Sequence, residues 1–161
     1  MNEAQLSMHR RFGTPENVIL VVQGNLAITY CKLGRREEAL RIYREVYAAR
    51  LTLSGPRHHA TLLAASNLSD QLVGSYLWDE AKQFLSEQIP IFQDVNGPDE
   101  EESLKMRWRY ALVLQREENY TEAVAILEDV ARRYRRVFGN SHPMTARAQG
   151  ALAHSRERLS S

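Results

Sequence analysis

Five histidines (His9, His58, His59, His142 and His154) and a single cysteine, Cys31, are the first places to look for chemistry in this chain of 161 residues. A helical metal pair needs imidazoles about one turn apart on one face, whereas His58 and His59 are adjacent in a stretch that reads as a linker. Cys31 has no His or Asp nearby in sequence to activate its thiol and reads as a small packing residue. No glycine-rich phosphate loop and no nucleophile elbow occurs. Neither catalysis nor a metal or other cofactor is expected.

The charged clusters speak about partners instead. Arg132-Arg133-Tyr134-Arg135-Arg136 interleaves basic residues with an aromatic, a pattern seen at nucleic-acid and anionic-lipid contacts. Tyr134, however, falls on the apolar stripe of its helix. The four arginines are then left near a helix C-terminus, where positive charge is favourable anyway. Nucleic-acid binding is therefore not expected, and weak RNA or lipid contact through these arginines ranks behind the other readings. The acidic run Asp99-Glu100-Glu101-Glu102 fits a helix N-terminus in the same way. Although net charge is only +1, residues 78–102 hold eight acids against Lys82, and residues 103–161 hold eleven Lys/Arg against six acids. This imbalance is either a mark of partner choice or simply a solvated helical surface.

Val18-Ile19-Leu20-Val21-Val22 is the longest apolar run, far short of a membrane span, and no leader-like segment opens the chain. A lone cysteine fits a reducing compartment, so a cytoplasmic location is expected.

The elements that must position these residues are set by a period. Gly13, Gly55, Gly97 and Gly139 are each 42 residues apart, and Ala39, Ala81 and Ala123 keep that interval, each preceded by glutamate. Such a spacing marks a repeat array. In the first unit Thr14-Pro15-Glu16 reads as a helix start, with Thr14 as N-cap and Pro15 at the first helical position. Leu20, Gln23, Leu26, Ala27 and Tyr30 recur on one helical face, and Gly34 provides a stop. Arg36-Glu37-Glu38 opens a second helix whose buried stripe is Ala39, Ile42, Tyr43, Val46 and Tyr47, with Leu53 closing the unit. Each unit is thus predicted to be an antiparallel pair, helix A then helix B.

Overlaying the units aligns Ala27 with Ser69 and Ala111 on the A helices, and Ala39 with Ala81 and Ala123 on the B helices. Small residues on both helices permit the close crossing that larger side chains would prevent. The predicted layout is a partial helix B at 1–12, repeats at 13–54, 55–96 and 97–138, and a capping helix A at 139–161. Arg156 stands in the last helix where Tyr30, Leu72 and Leu114 stand in the others, as a polar outer face requires. The half-unit at the start is read as a cut from a longer protein in preference to an abrupt natural beginning.

Asn25-Leu26-Ala27-Ile28-Thr29-Tyr30 followed by Gly34-Arg35-Arg36-Glu37-Glu38-Ala39 resembles the tetratricopeptide repeat, in the long 42-residue form of kinesin light chains. The linker Gly139-Asn140-Ser141-His142-Pro143-Met144-Thr145 is similar to the Gly-x-x-His-Pro-x-Thr linker of that subfamily, and Gly55-Pro56-Arg57-His58-His59 is a looser copy. The resemblance implies an all-α, right-handed α-solenoid whose A helices line a concave, peptide-binding surface. Carried onto this sequence, that surface takes Asn25, Ile28 and Lys32 from the first unit, and Ser66, Asn67, Asp70 and Val73 from the second. The third supplies Lys105, Trp108, Arg109, Leu112 and Arg116, and the last helix Arg147, Gly150, His154 and Arg158.

Asn25 and Asn67 offer amides that could hold a peptide backbone or else bond within their own helix pairs. Lys105, Arg109, Arg116, Arg147 and Arg158 favour carboxylates or phosphates. Trp108 is either an aromatic platform or a packing residue. The expected function is that of an adaptor-like module binding an extended acidic peptide. The alternative is a structural segment that self-associates, or continues a larger array, through residues 4–12 and the first A helix.

Overall fold

The computed structural model describes residues 15–160, and all its regular structure is helical. The elements are α1 (Glu16–Lys32), α2 (Arg36–Ser54), α3 (His59–Gly74), α4 (Trp78–Asn96), α5 (Glu101–Arg116), α6 (Tyr120–Phe138) and α7 (Pro143–Ser160). They fall into two compact units, Met1–Ser75 with α1–α3 and Tyr76–Ser161 with α4–α7. The expected partial helix at 1–12, His9 and Thr14 all lie outside the described residues.

In the first unit α1 begins one residue later than the sequence suggests. Pro15 sits at the cap itself, with extended backbone (φ −51°, ψ 136°), and its carbonyl accepts from the Val18 N–H at 2.9 Å. At the other end Gly34 takes φ +75°. The Gly34 N–H donates to the Cys31 carbonyl at 3.1 Å and the Arg35 N–H to the Tyr30 carbonyl at 2.9 Å. This paired closure satisfies carbonyls that a helix end would otherwise leave bare.

Ala27 and Ala39 are completely buried, as expected where α1 and α2 pack together. Leu53 departs from expectation: it is 49% exposed near the end of α2 and closes nothing. Hydrogen bonds join the helices at their ends. The Thr61 hydroxyl donates to the Arg50 carbonyl at 3.1 Å, and the Arg36 guanidinium to the Gly74 carbonyl at 2.9 Å.

The second unit repeats these devices with different residues. The Glu100 carboxylate accepts from the Glu102 N–H at 2.7 Å and the Ser103 N–H at 3.3 Å, capping α5. His142 caps α7 through Nδ1, which accepts from the Met144 N–H at 3.3 Å, and His58 does the same for α3 with the Ala60 N–H at 3.2 Å. The linker histidines thus hold helix starts, as does a glutamate at the same repeat position. Ser103, aligned with Thr61, donates to the Phe92 carbonyl at 3.1 Å.

Ala111, Leu114, Ala123 and Leu127 form one buried cluster between α5 and α6, with the small pair at its centre. A second cluster gathers Leu104, Val130, Tyr134, Met144 and Ala148. The Tyr134 ring stacks on His142 at 5.8 Å and lies 5.6 Å from Phe138, and its hydroxyl donates to the Glu101 carbonyl at 3.2 Å.

Candidate functional site

The A-helix face of the first unit mixes exposed apolar side chains with polar ones. Val21 on α1 and Leu63 on α3 share one repeat position, and each is 55% exposed. Ile28 is also exposed, beside Asn25 and Lys32 on α1. On α3, Asp70 is exposed, Asn67 and Val73 are half-buried, and Ser66 is buried. Neither the Asn25 nor the Asn67 side-chain amide is engaged by another group among the described residues. An unengaged amide can still give a hydrogen bond to, and take one from, a peptide backbone. Cys31 is not isolated as its sequence context suggests. Burial pushes its thiol pKa up, and a hydrogen bond with Tyr43 partly offsets this.

The second unit presents positive charge, but less of it than the sequence promises. Arg109 is only 8% exposed and one guanidinium N–H points to the Met106 sulfur at 3.7 Å. Its place on the open face is therefore corrected: α5 turns this arginine inward among Met106 and its neighbours. Lys105 is clamped at 2.8 Å by both Glu101 and Glu102. Burial disfavours its charged form, yet the two carboxylates outweigh that and raise its pKa. Trp108 packs against both buried clusters, and its buried Nε1 has no hydrogen-bond partner among the described residues, so it is a packing residue.

Arg116, Arg147, Gly150, His154 and Arg158 are exposed, with Leu112 half-buried among them. Arg116 has no acidic partner among the described residues, and Arg147 meets only the Met144 sulfur at 3.9 Å. Arg158 lies over the Tyr120 ring at 5.7 Å, and His154 meets that ring edge-on at 6.3 Å. Gln115 joins α5 to α7, donating to the Ala151 carbonyl at 2.7 Å and the Ser155 hydroxyl at 2.6 Å.

The arginine cluster at 132–136 is largely spent on acids that sequence reading did not pair with it. Asp99 accepts from Arg133 at 2.7 Å and Arg136 at 2.6 Å, while Asp129 accepts from Arg107 and Arg133 at 2.7 Å and also from Arg132. Burial alone would raise the Asp129 pKa, but the hydrogen bonds from Arg107, Arg132 and Arg133 win and hold it well below the usual carboxylate range. The hydrogen bond from Arg133 is the chief cause that lowers Asp99 likewise. Arg135 alone of the four arginines is in no ion pair among the described residues, which leaves little charge there for nucleic acid.

Among the described residues no group of three His, Cys, Asp or Glu is placed to hold a metal, and no helix is long and apolar enough to cross a membrane. Paired helices with completely buried small residues at Ala27, Ala39, Ala111 and Ala123 define an all-α protein of the α-solenoid class. The tetratricopeptide repeat family model matches residues 18–94 and 100–160, and the chain belongs to that family.

Among solved structures it is similar to the nearly identical TPR-like repeats of a Podosopora anserina protein assigned as a kinesin light chain. The identity is 22% over 88% of this chain and 67% of that one, with a TM-score of 0.78. A single-substitution form of those repeats gives 21% identity, 88% and 66% coverage and a TM-score of 0.79. BtubC (BKLC) from P. vanneervenii gives 13% identity, 91% and 58% coverage and a TM-score of 0.79. The chain thus spans between 58% and 67% of the length of these three structures. No curated protein matches the sequence.

Proposed function

We propose that the A-helix face of the second unit binds an extended acidic segment of a partner protein. The observation that carries this reading is a contrast between arginines. Three of the four in the 132–136 cluster on the B helix, Arg132, Arg133 and Arg136, are consumed by Asp99 and Asp129, whereas Arg116 and Arg147 on the A helices stay exposed without an acidic partner among the described residues. A guanidinium kept open in this way can fork onto a carboxylate. His154 and Arg158 lie on the same helix as Arg147, α7.

In the first unit Asn25 and Asn67 are the groups for a peptide backbone, with Val21, Ile28 and Leu63 meeting apolar side chains. The cytoplasm is the proposed location, since an adaptor needs its partners in the same reducing compartment.

Titrating a fluorescein-labelled acidic peptide against the chain should give saturable anisotropy at physiological salt. The double variant Arg116→Glu/Arg147→Glu should weaken it by at least about tenfold with unchanged helicity, because each charge-assisted contact contributes about 1.5–3 kcal/mol. Equal affinity of the variant would remove these arginines from the site.

A second reading rests on the exposure of Val18, Val21 and Ile28 along α1. This apolar stripe suits contact with another copy or with further repeats. Light-scattering mass that rises with concentration supports it, and a constant monomer mass counts against it.

A further inference from the structure

The repeat overlay breaks down at three positions that converge in space. Pro90 stands inside α4 where the other B helices carry Ala48 and Arg132. Tyr110 replaces Leu26 and Leu68, and Arg107 replaces Gln23 and Ala65. With Ser86, Ile89 and Ile126, these residues line a pocket of about 260 Å³ in the second unit, between α4, α5 and α6.

Proline has no N–H, so Pro90 cannot supply the helical hydrogen bond that the Ser86 carbonyl, four residues earlier, would receive. The Ser86 hydroxyl is already committed, donating to the Gln83 carbonyl at 2.8 Å. Arg107 is committed too, its guanidinium held by Asp129 at 2.7 Å, so its charge is neutralised and an anionic guest gains little. What remains is a carbonyl without its helical donor, on a residue that lines the pocket beside Ile89, Pro90, Tyr110 and Ile126. A guest that fits must be mostly apolar and carry a donor.

Size narrows the class. A dry cavity of about 150 Å³ takes a benzene ring, so this pocket has room for a two-ring side chain. It is smaller than the roughly 300 Å³ at which sites for drug-sized molecules begin. Aromatic side chains seated in such pockets dominate protein interfaces, tryptophan foremost, and the repeat fold is an interaction scaffold.

We propose that this pocket is the anchor site for a tryptophan side chain of a partner protein, with the indole N–H donating to the Ser86 carbonyl. The site shares no residue with the acidic-peptide face and stands independently of it.

The test is methyl NMR of Ile89 and Ile126, titrated with N-acetyl-tryptophanamide, with its 1-methylindole analogue and with free indole. Saturable shifts at both isoleucines are expected, with the methylated analogue, which lacks the donor, binding about fivefold more weakly. Pro90→Ala supplies the missing helical donor and favours the helix; in that variant the two tryptophan ligands should bind equally. Equal binding to the unaltered chain would overturn the hydrogen bond to Ser86. Absence of shifts at millimolar ligand would overturn the site. Binding of free indole without N-acetyl-tryptophanamide would mark a small-molecule pocket and overturn the docking role.

Discussion

At one repeat position the two units make opposite choices. Where α4 and α6 bury Phe92 and Tyr134, α2 carries Arg50, whose guanidinium reaches out to the Asn17 carbonyl at 3.1 Å. At this position the second unit therefore buries a ring where the first has an arginine, and it adds the Asp99–Asp129 ion network around α6. The surfaces differ in the reverse sense. At the position occupied by exposed Val21 and Leu63 in the first unit, the second has Lys105 and Arg147. One repeat pattern thus supports a unit tied by a long-range ion network with charged side chains at this face position, and another that keeps exposed apolar residues there. The shared glycines and alanines govern the helix pairing, while the positions between them are free to diverge.

The largest effect expected from this contrast is at Tyr134. Tyr134→Ala removes a fully buried ring and should cost about 3–5 kcal/mol, whereas Arg50→Ala should cost no more than about 1.5 kcal/mol. Thermal unfolding followed by circular dichroism compares them, and equal losses would dissolve the distinction between the two cores.

Next in size is Asp129→Asn, which replaces the carboxylate shared by Arg107, Arg132 and Arg133 with a neutral amide and should destabilise the second unit by about 3 kcal/mol. The pH dependence has a definite sign. Asp129 is depressed in the folded state, so its contribution is present above the ordinary aspartate value near 4 and is lost as pH falls below it. Urea titrations at neutral and acidic pH should show the variant losing less stability on acidification than the unaltered chain.

The smallest effect concerns helix ends. Gly34, Tyr76 and Glu118 share one repeat position and one left-handed conformation, φ +75° for the glycine and φ 60° for the other two. A side chain costs about 1–2 kcal/mol there. Glu118→Gly should therefore stabilise the second unit by about 1 kcal/mol, read as a shift in urea midpoint; no gain would mean that Glu118 compensates through its own contacts.

Much of the molecule was legible because its cause is local or periodic. The 42-residue interval, the small residues at Ala27, Ala39, Ala111 and Ala123, and the turn at Gly34 depend on backbone packing that every unit must satisfy. The site was less legible. Arg109 looks like its basic neighbours in sequence, and only the rotation of α5 turns it inward. Asp99 lies 34 residues from Arg133, so no local pattern links them. The pocket at Pro90 did leave a signal, a proline inside a helix beside departures at Tyr110 and Arg107, but those three residues meet only once α4 packs on α5.

The sequence by itself determined the repeat, the helix pairs and the family, since spacing and residue size are properties of the chain alone. Tertiary structure decided which charges remain for a partner. A long-range ion pair forms only where folding brings two distant side chains within reach, and Asp99 took Arg133 and Arg136 in this way while Arg116 and Arg147 stayed open.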